Sequence, residues 1–314
     1  MLSHIIPSNP ASLWVGPHAT VEQIEAARVQ LGLNKPLPVQ FVDYLWGILH
    51  GDLGVSIRTH NPVLSDIVRF LPASLEIIFV GMFIAVVVGI PLGVYSAANR
   101  NSVVDHLARL FSVSGVSMPT FWLAMILQLV FYQYLGLLPL GGRLSTRVAL
   151  LSPVNRLTGF YLFDSLVQGN FVAFKDALSH IILPALAMAA YPLGLVTRMV
   201  RSSTIDVLGE DFISTERAFG FKERTILFVY ALRNSFSSSL TVLALTFAYS
   251  LVSIVLIESI FSWPGFGRYA YKSIISVDTP AIMGITLLIS FIYVFLNLIV
   301  DILQSFLDPR VRAE

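Results

Sequence analysis

Five long apolar stretches dominate the pattern of hydrophobic and polar residues, and each is close to the length with which an α-helix crosses a bilayer. They predict membrane-spanning helices at about 77–97, 113–135, 181–198, 237–257 and 282–306. In lipid, the backbone polar groups of such stretches are satisfied within helices. The predicted fold class is therefore an all-α, polytopic membrane protein with a helical bundle.

The segment before the first span, residues 1–74, is mostly polar and is predicted to be a helical segment outside the membrane. Thr20 and Gln23 have the spacing of a capping box, which begins a helix that ends near Leu31. Apolar residues at helical spacing predict a second helix that ends at Gly51, and a short third helix follows Pro62. Residues 75–310 are assigned to the transmembrane domain.

Two polar segments interrupt the spans. Residues 136–179 are rich in Gly, Pro, Ser and Asn, and their apolar pieces are too short to cross a bilayer. Residues 199–234 contain a short amphipathic helix that Asp211 can cap and Gly220 can end. Two interpretations of this helix stay open from the pattern alone: a docking surface for a partner protein, or a helix lying on lipid headgroups.

The first span has one continuous face of small residues, because they recur at every fourth position. They are Gly81, Ala85, Gly89, Gly93 and Ala97. Such a face lets two helix backbones approach closely in lipid, so we expect a tight helix–helix contact within the chain or with a partner. Pro91 predicts a kink in the same helix.

Hydroxyl side chains fall close to one face of the fourth span. They are Ser239, Thr246, Ser250 and Ser253. One interpretation is that they line a polar path through the membrane; the other is that each hydroxyl bonds back to its own helix.

Composition excludes several kinds of chemistry. The chain is 55% hydrophobic and 12% charged, and it has no cysteine, so disulfides, thiolate metal sites and cysteine nucleophiles are excluded. The net charge of +1 does not favour nucleic acid, and the six histidines lack metal-ligand spacing. The stretch 265–273, GFGRYAYKS, lacks the glycine that a nucleotide-binding loop needs before its lysine.

Carboxylates are found only near the ends of the spans, at Glu76, Glu258 and Asp301, where we expect them to anchor the helices at the membrane surface. No mid-span carboxylate is present to relay protons, which argues against a proton-coupled carrier. Charge density in the short polar segments places the amino terminus outside and the carboxyl terminus in the cytoplasm.

Several motifs occur together in one order along nearly the whole chain. They are LGLNKPLPVQF (31–41), GDLGVS (51–56), SMPTFW (117–122), GLLPLGGR (136–143), HIILPALA (180–187), IESIFSWPGFGR (257–268) and DPRVR (308–312). With them the chain resembles the integral-membrane permease subunits of binding-protein-dependent ABC importers, in the oligopeptide, dipeptide and nickel branch.

The resemblance implies a role for the segment 199–234, since 214–220 with ALRN at 231–234 resembles the EAA loop, whose short helix docks in a cleft of the ATPase subunit. The residues implied in this coupling loop are Asp211, Phe212, Ile213, Ser214, Thr215, Glu216, Arg217, Ala218, Phe219 and Gly220. Phe212, Ile213 and Phe219 would each contribute roughly 1.5–3 kcal/mol when buried in that cleft.

The resemblance also implies partners and a location. The chain would pair with a second homologous permease subunit, two ABC ATPase subunits and an external substrate-binding protein, in the cytoplasmic (inner) cell membrane. ATP and Mg²⁺ would bind to the ATPases, and we expect no catalytic residue, cofactor or metal in this chain. The external segment 136–179 and the opening segment would receive the binding protein.

The chain departs from this family at two points. Glu216 occupies a position where the family usually has a small residue. The family usually has six spans, whereas this sequence begins with IIPSNPASL (5–13), which resembles the segment that follows the first of them. The start is therefore either trimmed or genuinely without that helix.

Peptide is the first choice of substrate, with oligosaccharide as the runner-up and nickel less favoured. Two functions from other classes make different demands on the sequence. A membrane-embedded enzyme would need an acid–base or metal cluster near the span ends, and a proton-coupled secondary carrier would need mid-span carboxylates and inverted repeats. The sequence has none of these features.

Overall fold

The computed structural model describes residues 10–16 and 18–307, but not the side chains of residues 13, 235–241, 300, 301 and 303–307. Three short helices come first: α1 (Pro10–Val15), α2 (Val21–Gln30) and α3 (Leu37–Leu49). The predicted capping box begins α2, since Thr20 Oγ1 accepts from Gln23 N and Thr20 N donates to Gln23 Oε1. Gly32 follows with a φ of +68°, so the predicted start and end of this helix are both confirmed.

The remaining elements are also helical. They are α4 (Val63–Ala98), α5 (Val103–Ser117), α6 (Thr120–Leu127, continued by the π-helical Gln128–Tyr134), α7 (Thr146–Leu151), α8 (Tyr161–Val167), α9 (Phe171–Leu208), α10 (Asp211–Ala218), α11 (Glu223–Thr225, continued by the π-helical Ile226–Ala231), α12 (Leu232–Ile260), α13 (Phe266–Ile275) and α14 (Thr279–Leu307).

Four of these helices contain a stretch long and apolar enough to span a membrane: Val63–Ala98, Phe171–Leu208, Val242–Ile260 and Thr279–Ile299. The bent pair α5 and α6 is long and apolar enough only when taken together, so the described residues contain four spans, or five if this pair is one span. The chain is thus an all-α, polytopic membrane protein. Its helices are longer than the predicted spans, however: α4 begins at Val63 and runs through Pro72, so no separate short helix follows Pro62.

The second predicted span, 113–135, is not one continuous helix. The axes of α5 and α6 are bent by 106° at the residues between them. Met118 has an extended conformation, with φ of −79° and ψ of 126°. The ring of Pro119 disfavours a helical conformation in the residue before it, which explains why the helix stops there although the apolar pattern continues.

The long helix α9 lies at the centre of the bundle and packs against α4, α5, α6 and α12. The main hydrophobic core lies where α4, α9 and α12 meet, with Ile77, Ile181 and Ile254 fully or almost fully buried there. Trp263, just beyond α12, closes one end of this core and donates from its indole N–H to Ala73 O at 2.9 Å.

Candidate functional site

The amphipathic helix predicted after the third span is α10, which lies between α9 and α11. Its N-cap is Glu210, so Asp211 is the first helical residue and not the capping residue that the sequence predicted. A carboxylate in the first turn is still favourable, because it lies at the positive end of the helix dipole. Gly220 has a φ of +81°, the left-handed conformation predicted for the residue that ends this helix.

One side chain of α10 is buried against the rest of the protein, and the others lie at the surface. Ile213 is completely buried against Ile226 and Ala231, so it lacks the exposed position that insertion into a partner's cleft requires. Phe212 and Phe219 are 38% and 77% exposed. The other predicted residues are also at the surface: Ser214, Thr215, Arg217, Ala218 and Gly220 are exposed, and Glu216 is half-buried. Ile213 thus fixes the helix to the bundle and leaves an aromatic and charged face outward.

A buried carboxylate joins the three helices α4, α5 and α9. Asp105 of α5 is fully buried and accepts hydrogen bonds from Arg201 of α9, at 2.6 Å from Nε and 2.9 Å from Nη2. Ser96 of α4 donates to the same carboxylate at 2.6 Å, and Asn101 N donates at 2.9 Å. The sequence analysis did not predict this contact between α4, α5 and α9. Asp105 and Arg201 have opposite charges and lie near the ends of predicted spans, and that pattern could have indicated the pair.

The small residues of the first span lie against α9. All five are buried, and Cβ atoms built on Gly81, Gly89 and Gly93 would lie 3.2, 3.3 and 2.9 Å from successive backbone oxygens of that helix. The contact is therefore between helices of the same chain at these positions.

A second close approach, between α5 and α9, was not predicted. A Cβ built on Gly115 would lie 2.6 Å from Ala190 O, and one built on Gly194 would lie 2.5 Å from Ser112 O. These distances leave no room for a side chain, so α5 and α9 touch backbone to backbone. Together with the buried Asp105, they fix α4, α5 and α9 to one another.

The hydroxyl side chains of the fourth span bond to their own helix. Thr246, Ser250 and Ser253 donate to backbone oxygens three or four residues earlier. Ser250 and Ser253 also line a cavity of about 270 Å³, whereas Thr246 does not, and the side chain of Ser239 lies outside the described part. The cavity lies between α12, Tyr191 of α9 and the break between α5 and α6. The position of this cavity in the middle of the spans is consistent with a path. The hydroxyl groups themselves are already bonded to the backbone of α12, so their presence on one face is not evidence for a path.

Comparison with known families accounts for this set of elements. The family described as binding-protein-dependent transport system inner membrane component matches residues 89–313. The chain belongs to this family. A related N-terminal family of the same transport systems matches residues 1–78.

Relatives of this inner membrane component are similar over nearly all of their length. The probable D,D-dipeptide transport system permease protein DdpB of Escherichia coli (strain K12) is 45% identical over 99% of this chain and 91% of its own. The dipeptide transport system permease protein DppB of Alkalihalophilus pseudofirmus is 38% identical over 98% and 92%. The di/tripeptide transport system permease protein DppB of Pseudomonas aeruginosa is 37% identical over 100% and 92%.

Two acidic residues of this inner membrane component do not have the positions expected from the sequence. Glu76 and Glu258 are buried, and neither anchors a helix at the membrane surface. Glu76 pairs with Arg143 at 2.5 Å and accepts from Leu162 N at 2.7 Å. Glu258 accepts from Ser74 Oγ and from Arg268 N. The side chain of Asp301 is not described.

Glu76 holds the segment between α6 and α9 on the bundle, whereas Glu258 joins α12 to α4 and α13. Arg143 lies in that segment, with its guanidinium 3.7 Å from the centre of the Tyr161 ring, and it also donates to Gly159 O at 2.8 Å. Burying a charge is costly unless it is paired and hydrogen-bonded, and these partners supply that compensation. The segment therefore has a fixed structure over the ends of α4 and α12.

Asp164 of α8 orders the loop before it. Its carboxylate accepts from Leu157 N, Thr158 N and Gly159 N, at 3.2, 2.9 and 2.9 Å. Burial by itself would raise the pKa of Asp164, but the hydrogen bonds from Thr158, Gly159 and Leu157 outweigh it and hold the pKa below its usual value. Because the native pKa is depressed, the stabilisation is present at neutral pH and is lost as the pH falls through that pKa.

Among the described residues, no group of three or more His, Cys, Asp or Glu side chains is placed to hold a metal ion.

Proposed function

We propose that this chain is the permease subunit of an ATP-driven importer and forms half of the path for peptides delivered by an external binding protein. The observation that carries the proposal is α10: a short helix fixed to the spans by the buried Ile213, with Phe219 77% exposed on its outward face. Peptide as the substrate class is supported by the relatives, whose names specify dipeptide and di/tripeptide transport.

The partners follow from this role. A second homologous permease subunit supplies the other half of the path, and two ABC ATPase subunits bind and hydrolyse ATP with Mg²⁺ outside this chain. The amino terminus lies outside the cytoplasmic membrane and the carboxyl terminus inside, so that α10 is cytoplasmic. This sidedness has the support of the charge density in the short polar segments.

The proposed mechanism depends on the contacts that attach α10 to the membrane spans. Closure of the ATPase dimer on ATP displaces α10, and the buried Ile213 transmits the displacement to the spans because it cannot slide independently of Ile226. The spans then rock, and the cavity beside Ser250 and Ser253 opens alternately to the two sides. Binding of ATP to the partners, and not chemistry in this chain, supplies the energy.

The test is co-purification followed by transport. The tagged chain is extracted gently from native membranes, and accompanying proteins are identified by mass spectrometry. We expect ATPase subunits and a second permease, and the reconstituted assembly with its binding protein should take up a labelled dipeptide only with ATP. Isolation of the chain alone under several mild detergents, or uptake of oligosaccharide but not of dipeptide, would contradict the proposal.

A further inference from the structure

The short helix α3 has an apolar face that points away from the rest of the protein. Val42, Leu45, Trp46 and Leu49 are 62%, 44%, 66% and 78% exposed. At 100° per residue, these four positions fall within about 100° of the helix circumference. None of the residues of α3 is buried.

The polar residues of α3 point the other way. Gln40, Asp43 and Tyr44 face a cavity of about 440 Å³, which the end of α2, the first turn of α14 and the apolar Leu37 and Phe41 of α3 also line. Gln40 donates to Lys35 O at 2.8 Å, and Asp43 is paired with Lys35 Nζ at 2.6 Å. A helix on the surface of a water-soluble domain has the opposite arrangement, with its apolar stripe against the core.

The turn after α3 fixes the helix beside the point where a span begins. Leu53 packs against the hydrophobic cluster that contains Ala281 and Ile285 of α14, and a Cβ built on Gly54 would lie 3.4 Å from the side chain of Pro280. The apolar span of α14 starts at Thr279. The helix α3 is therefore attached at the level where α14 enters the membrane.

We propose that α3 lies in the membrane surface beside the amino-terminal end of α14, with Val42, Leu45, Trp46 and Leu49 inserted among the lipids. Its thirteen residues extend about 20 Å, too short to cross a bilayer but suited to lie in its plane. Tryptophan is enriched at this depth, where its ring is amphipathic like the interface itself.

Lipid fits this face better than a protein partner does. A transiently bound protein would leave the four apolar side chains exposed to water whenever it dissociates. The bilayer beside α14 would cover them continuously. The charged residue of α3, Asp43, is already paired with Lys35, so the apolar side presents no charge for a partner to recognise. This inference needs only the membrane spans and does not depend on the transported substrate.

The absence of cysteine from the chain permits a direct test by site-directed spin labelling. The variants are Leu45→Cys on the apolar face and Asp43→Cys on the opposite side of the same helix, each labelled in the intact assembly reconstituted into vesicles of phosphatidylethanolamine and phosphatidylglycerol. Glu22→Cys on α2 is a second control that leaves the Lys35–Asp43 pair intact. Accessibility to oxygen, which partitions into lipid, is compared with accessibility to a water-soluble nickel chelate.

We expect the ratio of oxygen to nickel accessibility at position 45 to exceed the ratio at positions 43 and 22 several-fold. High nickel accessibility at position 45 would overturn the proposal, because the face would then be in water. Exclusion of both reagents at position 45 would also overturn it, because a protein surface would then cover the helix. Leu49→Cys repeats the comparison on the same face in case the label at position 45 disturbs folding.

Discussion

Close backbone contacts give single glycines of this protein their importance. Gly194 is the clearest case, because an added Cβ would meet the backbone oxygen of Ser112 at 2.5 Å, and backbone cannot move aside as a flexible side chain can. Gly89 differs, since its nearest neighbours are at 3.3 Å and include side-chain atoms of Thr197 and Val196.

We predict that Gly194→Ala destabilises the protein more than Gly89→Ala does. Overpacking costs about 1–3 kcal/mol and outweighs the roughly 1 kcal/mol by which alanine favours a helix over glycine. Thermal unfolding of the two variants in the same detergent, followed by size-exclusion chromatography, measures the difference. Equal melting temperatures, or a lower one for Gly89→Ala, would contradict the close approach of α5 and α9.

Sequence patterns predicted such residues only where they repeat. The small face from Gly81 to Ala97 is visible because its members recur every fourth residue, whereas Gly115 and Gly194 are isolated and their contact depends on how two helices cross. The partners of the buried carboxylates could not be predicted from the sequence either. Arg143 is separated from Glu76 by a polar segment whose folded position no local pattern gives, so a carboxylate near a span end was assigned to the membrane surface.

Among the elements, α10 combines one side chain that holds it to the protein with others that remain available. Ile213 and Phe219 are separated by less than two helical turns, yet the first is completely buried and the second is largely exposed. Stability and partner binding should therefore be separable within this helix.

We predict that Phe219→Ala weakens association with the ATPase subunits and leaves the melting temperature of the isolated chain nearly unchanged. Loss of an exposed aromatic at the centre of an interface costs about 2 kcal/mol or more, which is roughly 30-fold in Kd. Ile213→Ala is the matched control, expected to lower the free energy of unfolding by about 2–5 kcal/mol. Pull-down of the ATPases and thermal unfolding separate the two effects. Full ATPase recovery with Phe219→Ala would remove this residue from the docking face.

Proline shows why the boundaries of elements were harder to predict than their existence. Pro72 lies inside α4, where it packs against Gly159 and the helix continues, whereas Pro119 separates α5 from α6 by a bend of 106°. A proline removes one backbone hydrogen bond in either place. Whether the helix continues depends on neighbours that come from distant parts of the chain. The hydrophobic pattern did not show the difference, because it runs on across Pro119, where the helix stops, and begins only after Pro72, where the helix continues.

The whole molecule has a proposed sidedness that single cysteines can test. Ser214→Cys, on the exposed surface of α10, should react with a membrane-impermeant maleimide only from the cytoplasmic side. Val167→Cys is the counterpart for the external segment. Val167 is 59% exposed, so a cysteine there can react, whereas a cysteine at the neighbouring Ser165 would be buried and could not. Val167→Cys should react only from outside. Intact cells and inverted vesicles give the two sides, and the opposite labelling pattern would reverse the topology.

The joint at Asp105 has a geometrical consequence for a molecule that works by movement. Because α4, α5 and α9 are fastened to one another there and along their glycine contacts, we expect them to move as one body, in which α9 is the longest helix. Its 38 residues make an arm about 57 Å long. Tilting that arm by about 5° around one end carries the other end through about 5 Å, close to one helical turn. In the proposed mechanism, a push at α10 that tilts α9 by a few degrees therefore moves the far end of this helix by about the length of a side chain.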